Sequence, residues 1–326
     1  MRGFLTINFT HGIKFRKEKE KRRKMKLFAP PYYRNFKCIA DRCGHSCCVG
    51  WEIDIDADTL ARYESCDGTY AEKIKKSIEY HEVPHFRLLG ERCPHLADNG
   101  LCSIICELSE EWLSDICREH PRFYNKTVRG MEVGLGLSCE EAARLILSTE
   151  NYRDITEIDT LDGENEPLQF DTVAERDRIY ELLSDENIPY CDRLRLLWYK
   201  YEASPKLLSD REWQDVLASL EYLDESDREL FSVYSSNEAT PVGYEKTLER
   251  FLAYLIYRHA SSKETEEGFR ASLGFAFFVE RLFASLIKNE GAPNAERVIE
   301  IARIISEEIE YSEENTDNIT FEFEIS

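Results

Sequence analysis

The sequence has no run of about 18 consecutive apolar residues, so it offers no helix long enough to span a bilayer. Its most apolar window, LGFAFFVERLFASLI, is interrupted by Glu280 and Arg281 and reads as a buried helix instead. Positive charge is scarce: 42 Lys and Arg face 63 Asp and Glu, for a net charge of −21. Residues 1–24 carry nine basic and two acidic side chains, or +7, which leaves −28 on the rest. Such an acidic body repels phosphates and disfavours a nucleic-acid partner. The stretch RKEKEKRRK could form a nucleic-acid arm. Its charge density fits a solvated extension better, with Met25 the expected natural start. No secretory signal is evident, because the short apolar stretch near the N-terminus is followed by charges rather than a small-residue cleavage site. The expected compartment is the cytoplasm, where thiols stay reduced.

Familiar catalytic signatures are missing as well. The chain contains no G-x-x-x-x-G-K-[ST] loop, no H-E-x-x-H and no G-x-S-x-G. Its one Gly-rich run, EVGLGLS, holds a single G-x-G, which is weak evidence for a nucleotide-like ligand. No internal repeat with a fixed period is apparent.

What the chain has instead is cysteine. Ten of its eleven cysteines lie between Cys38 and Cys139, and Cys191 stands apart. The odd count, the clustering and a reducing compartment argue against disulfides and for metal binding. In CIADRCGHSCCVGW the spacing is Cys38-x4-Cys43-x3-Cys47-Cys48; later come Cys93-x8-Cys102-x3-Cys106-x10-Cys117, then Cys139. Zinc knuckles use paired C-x2-4-C units, radical enzymes that bind S-adenosylmethionine use C-x3-C-x2-C, and plant-type ferredoxins have their own spacing. None is present, so distant segments must supply the ligands together.

Local context refines the set. In LSCEEAARLIL, Ser138 and Glu141 suggest a capping box that puts Cys139 at the first helical position, where the helix dipole favours a thiolate. In CPHLADNGLCSI, Pro94 extends the chain and Asn99-Gly100 turns it, so that Cys93 and Cys102 can approach. Cys117 is expected near the end of a helix stopped by Pro121, with Arg118 beside it to favour a thiolate. Side chains of the adjacent Cys47 and Cys48 diverge in an extended segment, which favours Cys48 as the direct ligand. Cys66, Cys106 and Cys191 are expected to be small buried hydrophobes. His45, His95 and His120 are candidate ligands or ligand partners, although a structural role is the commoner outcome. His259, ending LERFLAYLIYRH, is expected to serve as a dipole partner at a helix C-terminus.

The expected fold is mainly α: an irregular cysteine-rich N-terminal domain with short β elements, followed by an all-helical C-terminal domain. Residues 1–24 form the basic extension, 25–155 the cysteine-rich metal or iron–sulfur domain, 156–171 an acidic linker and 172–326 the helical domain. WEIDID and MEVGLGLS alternate like short strands. Capping boxes are expected at Thr172/Glu175, Ser209/Glu212 and Ser226/Glu229. Apolar stripes such as Leu248, Phe251, Leu252 and Leu255 mark helix faces turned to a core. The C-terminal stretch ending FEFEIS is expected to form a short alternating strand or to fray.

Four blocks, PPYYRNFKCIADRCGHSCCVGWEIDID, ERCPHLADNGLCSI, LSDICREHPRFYNK and LSCEEAARLIL, resemble the flagellin lysine-N-methylase family. That family shares its cysteine pattern with proteins described as zinc- or iron-chelating. The resemblance begins near Met25, covers about residues 25–150 and extends only loosely into the helical half. It implies methyl transfer from S-adenosylmethionine to lysine ε-amines of flagellin, with an iron–sulfur cluster, 4Fe-4S in type, or zinc held by cysteines. Residue by residue, it implies Cys38, Cys43, Cys47, Cys48, Cys93, Cys102, Cys117 and Cys139 as the metal set, with Cys106 outside it. The last block here reads LSCEEAA where the family's usual form has proline after the cysteine.

Lysine methylation requires a neutral amine in line with a sulfonium methyl group, so a base or desolvation must lower the amine pKa. Trp51, Tyr63, Trp112 and Tyr124 are candidate aromatics for holding a methyl-bearing cation, each more readily read as core. An acidic surface favours encounter with lysine-bearing loops without selecting flagellin. The alternative function is a non-enzymatic zinc- or iron-binding or redox-sensing protein using the same cysteines. A third is a scaffold in which metal only staples the first domain and the helical half binds a protein.

Overall fold

The structure is a computed structural model that describes residues 24–165, 168–237 and 239–325. Most of the basic extension expected over 1–24 therefore lies outside the described residues. The architecture is mainly α, with 53% helix and 12% strand. Six strands occur among the described residues: β1 Lys24–Ala29, β2 Ile78–Glu79, β3 His85–Phe86, β4 Arg122–Thr127, β5 Gly130–Leu135 and β6 Thr156–Asp162. Among these residues no helix is long and apolar enough to cross a membrane.

The chain divides into two compact units. One comprises residues 37–122 and 139–141; the other takes 24–36, 123–138 and the chain from 142 onward. The second unit thus draws β1, β4 and β5 from the half expected to be cysteine-rich. Its sheet has the order β4-β5-β1-β6, with β1 parallel to β5 and antiparallel to β6. The segment 156–171, expected as a linker, begins with β6, which follows β1 from Lys24↔Asp162 to Ala29↔Thr156. Opposite charges across that ladder explain the pairing: Lys24 meets Asp162 at 2.8 Å and Lys26 meets Glu157 at 2.7 Å. MEVGLGLS supplies β5 as expected. Its glycines serve close packing rather than a phosphate, because a Cβ on Gly134 would strike the Phe123 ring and one on Gly136 the Tyr311 hydroxyl.

The second unit is organised around the 24-residue helix Glu266–Asn289, the buried helix expected from the apolar window. Phe275, Phe277, Phe278, Leu282 and Phe283 on it are fully buried, each contributing about 1.5–3 kcal/mol. Glu280 and Arg281 are buried too, paired at 2.5 Å, and Tyr190 donates to Glu280 at 2.9 Å. Arg176 forks onto Glu132 of β5 at 2.6 and 2.9 Å, with both side chains out of solvent. Burial alone would raise the Glu132 pKa, but Arg176 and Arg129 outweigh it and hold the carboxyl below its usual range.

Helix starts follow the stronger acceptor. The Ser209/Glu212 capping box forms as expected. Elsewhere an aspartate just upstream takes the role: Asp171 accepts from Ala174 N and Asp224 from Ser226 N, displacing the expected Thr172 and Ser226 caps. The C-terminal stretch is the helix Glu313–Glu324, not a strand. Ser312 caps it, and Asn315, Ile319 and Phe323, four apart, are its buried residues, so the helical period overrides the alternation of FEFEI. His259 is not a simple terminal dipole partner. It lies in a π-helical turn, Ile256–Ala260, with Nε2 2.6 Å from Glu310 of a second such turn, Ser306–Glu310.

Two outcomes test this packing. A Cβ on Gly274 would collide with the Phe323 ring, so Gly274→Leu should cost about 1–3 kcal/mol in urea unfolding; an unchanged midpoint would refute the contact. Arg176→Met should cost about 3–5 kcal/mol at neutral pH, because buried Glu132 loses its forked partner and keeps only its bond to Arg129. Because Glu132 is depressed in the fold, its stabilisation is present above the unfolded carboxyl pKa, about 4.3, and is lost as pH falls through the lower folded value. The variant's penalty should therefore shrink on acidification, and a pH-independent penalty would contradict the pairing.

Candidate metal centre

The cysteine-bearing unit is built on a small core of Ile53, Ile55, Tyr63, Ile74, Ile78, Phe86, Cys93 and Ile104, against which Cys48, Cys102 and Cys117 also pack. WEIDID runs extended beside β3 without becoming a named strand: Phe86 N donates to Ile53 O and Ile55 N to Pro84 O. Its alternation is real, since Ile53 and Ile55 turn inward. Asp56 then caps the helix Ala57–Ser65 through Thr59 N and takes a second bond from Asp115 N, both at 2.9 Å. Burial would raise this carboxyl, but those N–H donors hold it below the usual range. Asp56 thereby fixes the short helix Asp115–Glu119 that carries Cys117.

Backbone pairing brings the two main cysteine segments together. Val49 bridges to Arg92, Gly50 N donates to Glu91 O and Cys93 N to Cys48 O, the last two at 2.8 Å. Gly50 enables this with φ +82. The Asn99-Gly100 turn forms as expected: Gly100 has φ +79, Leu101 N donates to Asn99 Oδ1 and Leu96 bridges to Cys102. The same loop comes against the first cysteine segment, where a Cβ on Gly100 would lie 3.4 Å from Asp41 Cα.

None of the eleven cysteines is in a disulfide. The Cys47 and Cys93 thiols lie close enough to Cys48 to interact with it, which depresses the Cys48 pKa and raises theirs. Cys102 and Cys117 lie close enough to interact electrostatically with Cys48; burial pushes Cys117 up to about 12. Arg118 does not serve Cys117 as expected, because it pairs with Asp115. Cys38 and Cys43 lie beside this group. Cys38 Sγ accepts from Ala40 N, and Ala40 takes an unusual φ of +51 to turn the loop. Cys43 donates to His45 O at 2.7 Å, and Glu140 Oε2 receives both Gly44 N at 2.7 Å and the Cys43 thiol at 3.7 Å. Glu140 thus ties the segment bearing Cys139 to the first loop. The helix there starts at Glu140, so Cys139 precedes it, and Ser138 Oγ is buried without a partner rather than closing a capping box.

Other expectations divide. His95 is fully buried, with Nδ1 3.0 Å from Tyr70 Oη and Nε2 2.9 Å from Ser77 Oγ, and burial lowers its pKa to about 4. It is a neutral core residue with both ring nitrogens engaged. His120 instead acts electrostatically on Cys48. Cys66 and Cys191 are only half-buried and Cys106 is exposed, so none is the buried hydrophobe expected. Tyr63 is core, donating to Trp112 O; Tyr124 sits on β4 in the other unit. The sequence reading passed over Glu79, His81 and His85, whose donor atoms lie within 4.8 Å of one another. The signal available was Glu-x-His-x3-His in EYHEVPH.

A tetrahedral zinc with Zn–S near 2.3 Å needs sulfurs about 3.8 Å apart. Among the described residues no three cysteine sulfurs come within 4.8 Å of one another.

The chain is 26% identical over 137 residues to lysine-N-methylases of Salmonella choleraesuis (strain SC-B67) and Salmonella typhimurium (strain LT2), a match covering 39% of this chain and 34% of each relative. It is 27% identical over 128 residues to the flagellar biosynthetic protein FliU of Salmonella muenchen, covering 36% of this chain and 75% of that protein. The chain thus matches about a third of the length of the lysine-N-methylases. No protein-family model and no solved structure matches it. The likeness is to lysine-N-methylases and to a flagellar biosynthetic protein, carried by little more than a third of the chain.

Burial ranks the thiols. In the reduced, metal-free protein, iodoacetamide should label Cys38 and Cys106 about tenfold faster or more than Cys93, which is 5% exposed. Mass spectrometry reads the rates, and equal labelling would show that the 48–50/91–93 pairing opens in solution.

Proposed function

We propose that this protein takes part in lysine N-methylation of flagellin, with S-adenosylmethionine as methyl donor and an iron–sulfur cluster held jointly by cysteines from several segments of the chain. The observation that carries the reading is the meeting of Cys47, Cys48, Cys93, Cys102 and Cys117 in a chain similar to flagellar lysine methylases. Cys48, Cys93, Cys102 and Cys117 are the residues we assign to the cluster, with Cys38, Cys43 and Cys139 on the adjoining segments. Bound there, such a cluster supplies one-electron redox chemistry.

The chain's own residues have separate tasks. The 48–50/91–93 pairing fixes the thiols before any metal arrives, and Asp56 fixes Cys117. The Cys93, Cys102 and Cys117 thiols, whose pKa values are raised, must give up their protons when they ligate, so loading releases protons. In the transfer, the sulfonium–methyl bond breaks, a nitrogen–carbon bond forms, and the lysine amine gives up one proton. The net acidity of the chain raises the local concentration of lysine-bearing loops.

The test uses full-length protein purified without oxygen. Iron, sulfide and zinc are measured, and the protein is incubated with methyl-labelled S-adenosylmethionine and flagellin from the same cell. Label in flagellin lysines, with iron and sulfide present, is the expected result. Cys93→Ala should lose both iron and label at least about tenfold, while Cys106→Ala keeps both. Zinc without iron, together with no transfer, would overturn the reading in favour of a non-enzymatic metal-binding or redox-sensing protein.

A further inference from the structure

We propose that Glu79, His81 and His85 form a second metal site, separate from the cysteines, that binds a divalent transition cation, zinc first among them. Glu79 and His85 stand directly opposite each other in the β2–β3 hairpin, and the neighbouring pair is Ile78↔Phe86. Ile78 and Phe86 are buried at 4% and 1% exposure, so the strand period turns Glu79 and His85 to the opposite face. The connection between the strands brings His81 over the same face, its ring stacked on His85 with centroids 5.3 Å apart.

Both imidazoles approach one oxygen of Glu79. His85 Nε2 lies 3.5 Å from Glu79 Oε2, and His81 Nε2 lies 3.8 Å from the same oxygen. A tetrahedral zinc with Zn–N and Zn–O bonds of about 2.0–2.2 Å requires neighbouring donors about 3.4 Å apart. Both imidazole–carboxylate separations are therefore within a few tenths of an ångström of the needed spacing before any ion binds, and the two imidazole nitrogens lie within 4.8 Å of each other. Two imidazoles and one carboxylate leave a fourth position to water.

The surrounding contacts aim these atoms. His85 Nδ1 lies 3.0 Å from Val83 O and 3.2 Å from Glu52 Oε1. A proton on Nδ1 bonded to either oxygen leaves the Nε2 lone pair for a metal, with Glu52 as the carboxylate behind the imidazole. Arg87 Nε binds Glu79 Oε1 at 2.6 Å, which orients the carboxylate and leaves Oε2 for the cation. Nitrogen and oxygen donors without sulfur suit zinc and its neighbours, whereas the cysteine group suits softer chemistry. The site does not depend on the methylase reading.

The test is titration of the folded full-length protein with cobalt(II), then zinc, under reducing conditions. Cobalt at Glu79, His81 and His85 gives visible ligand-field bands without sulfur-to-metal charge transfer, unlike cobalt on thiolates. Those bands should persist in Cys48→Ala. They should disappear in His81→Ala, whose side chain is 71% exposed and whose loss should leave the fold intact by circular dichroism. Glu52→Gln should weaken zinc about 10- to 100-fold. Sulfur-free cobalt bands and zinc stoichiometry unchanged in both His81→Ala and His85→Ala would overturn the proposal, as would a wild-type protein showing thiolate cobalt alone.

Discussion

The gathering of the cysteines depends on a few backbone hydrogen bonds between two segments more than forty residues apart in sequence. Gly50 N to Glu91 O and Cys93 N to Cys48 O, with the Val49–Arg92 bridge between them, set the register in which Cys48 meets Cys93. Shifting a strand by one residue turns every side chain to the other face. A one-residue slip here would turn one cysteine away from the other. The core beneath resists that slip, because Ile53, Ile55, Phe86 and Cys93 are buried together. Each thiol is therefore placed by packing around it as much as by its own sequence neighbours.

That dependence explains what the sequence could and could not reveal. The clustering of the cysteines was legible from their number and spacing, and the Asn99-Gly100 turn was legible from local chemistry alone. Cys48 sits against the core while Cys47 is exposed, a difference the doublet does not display. His95 looked like a candidate ligand only because it lies near Cys93 in sequence. Tyr70 and Ser77, which occupy both of its nitrogens, come from a different segment. Glu79, His81 and His85 were invisible for a related reason. Two of them become neighbours only once the strands pair, and a two-residue strand has almost no periodic signal.

The second unit shows the same competition between local pattern and tertiary context. FEFEI alternates, yet Asn315, Ile319 and Phe323 are what the neighbouring helix buries, and Ser312 offers a cap. Acidity in 156–171 suggested a linker, but acidic side chains also suit an edge strand that must discourage further pairing. Lys24 opposite Asp162, and Lys26 reaching along the ladder to Glu157, turn that acidity into register. Charge density alone cannot distinguish a linker from such an edge.

Acidic residues also serve this unit from the inside. Glu132, Glu249, Glu280 and Glu310 are all buried, each beside an arginine: Arg176, Arg193, Arg281 and Arg258 respectively. A buried carboxylate without its partner would cost several kcal/mol, so these arginines are committed to the interior. Basic groups used inside cannot neutralise carboxylates outside, which sharpens the imbalance behind the net charge of −21. The resulting field attracts metal cations and lysine side chains alike, but it acts at long range and is screened beyond about 8 Å in physiological salt. It can speed encounter without choosing between cations. Selection must come from short-range geometry: thiols gathered around Cys48 in one place, and a carboxylate with two imidazoles in another.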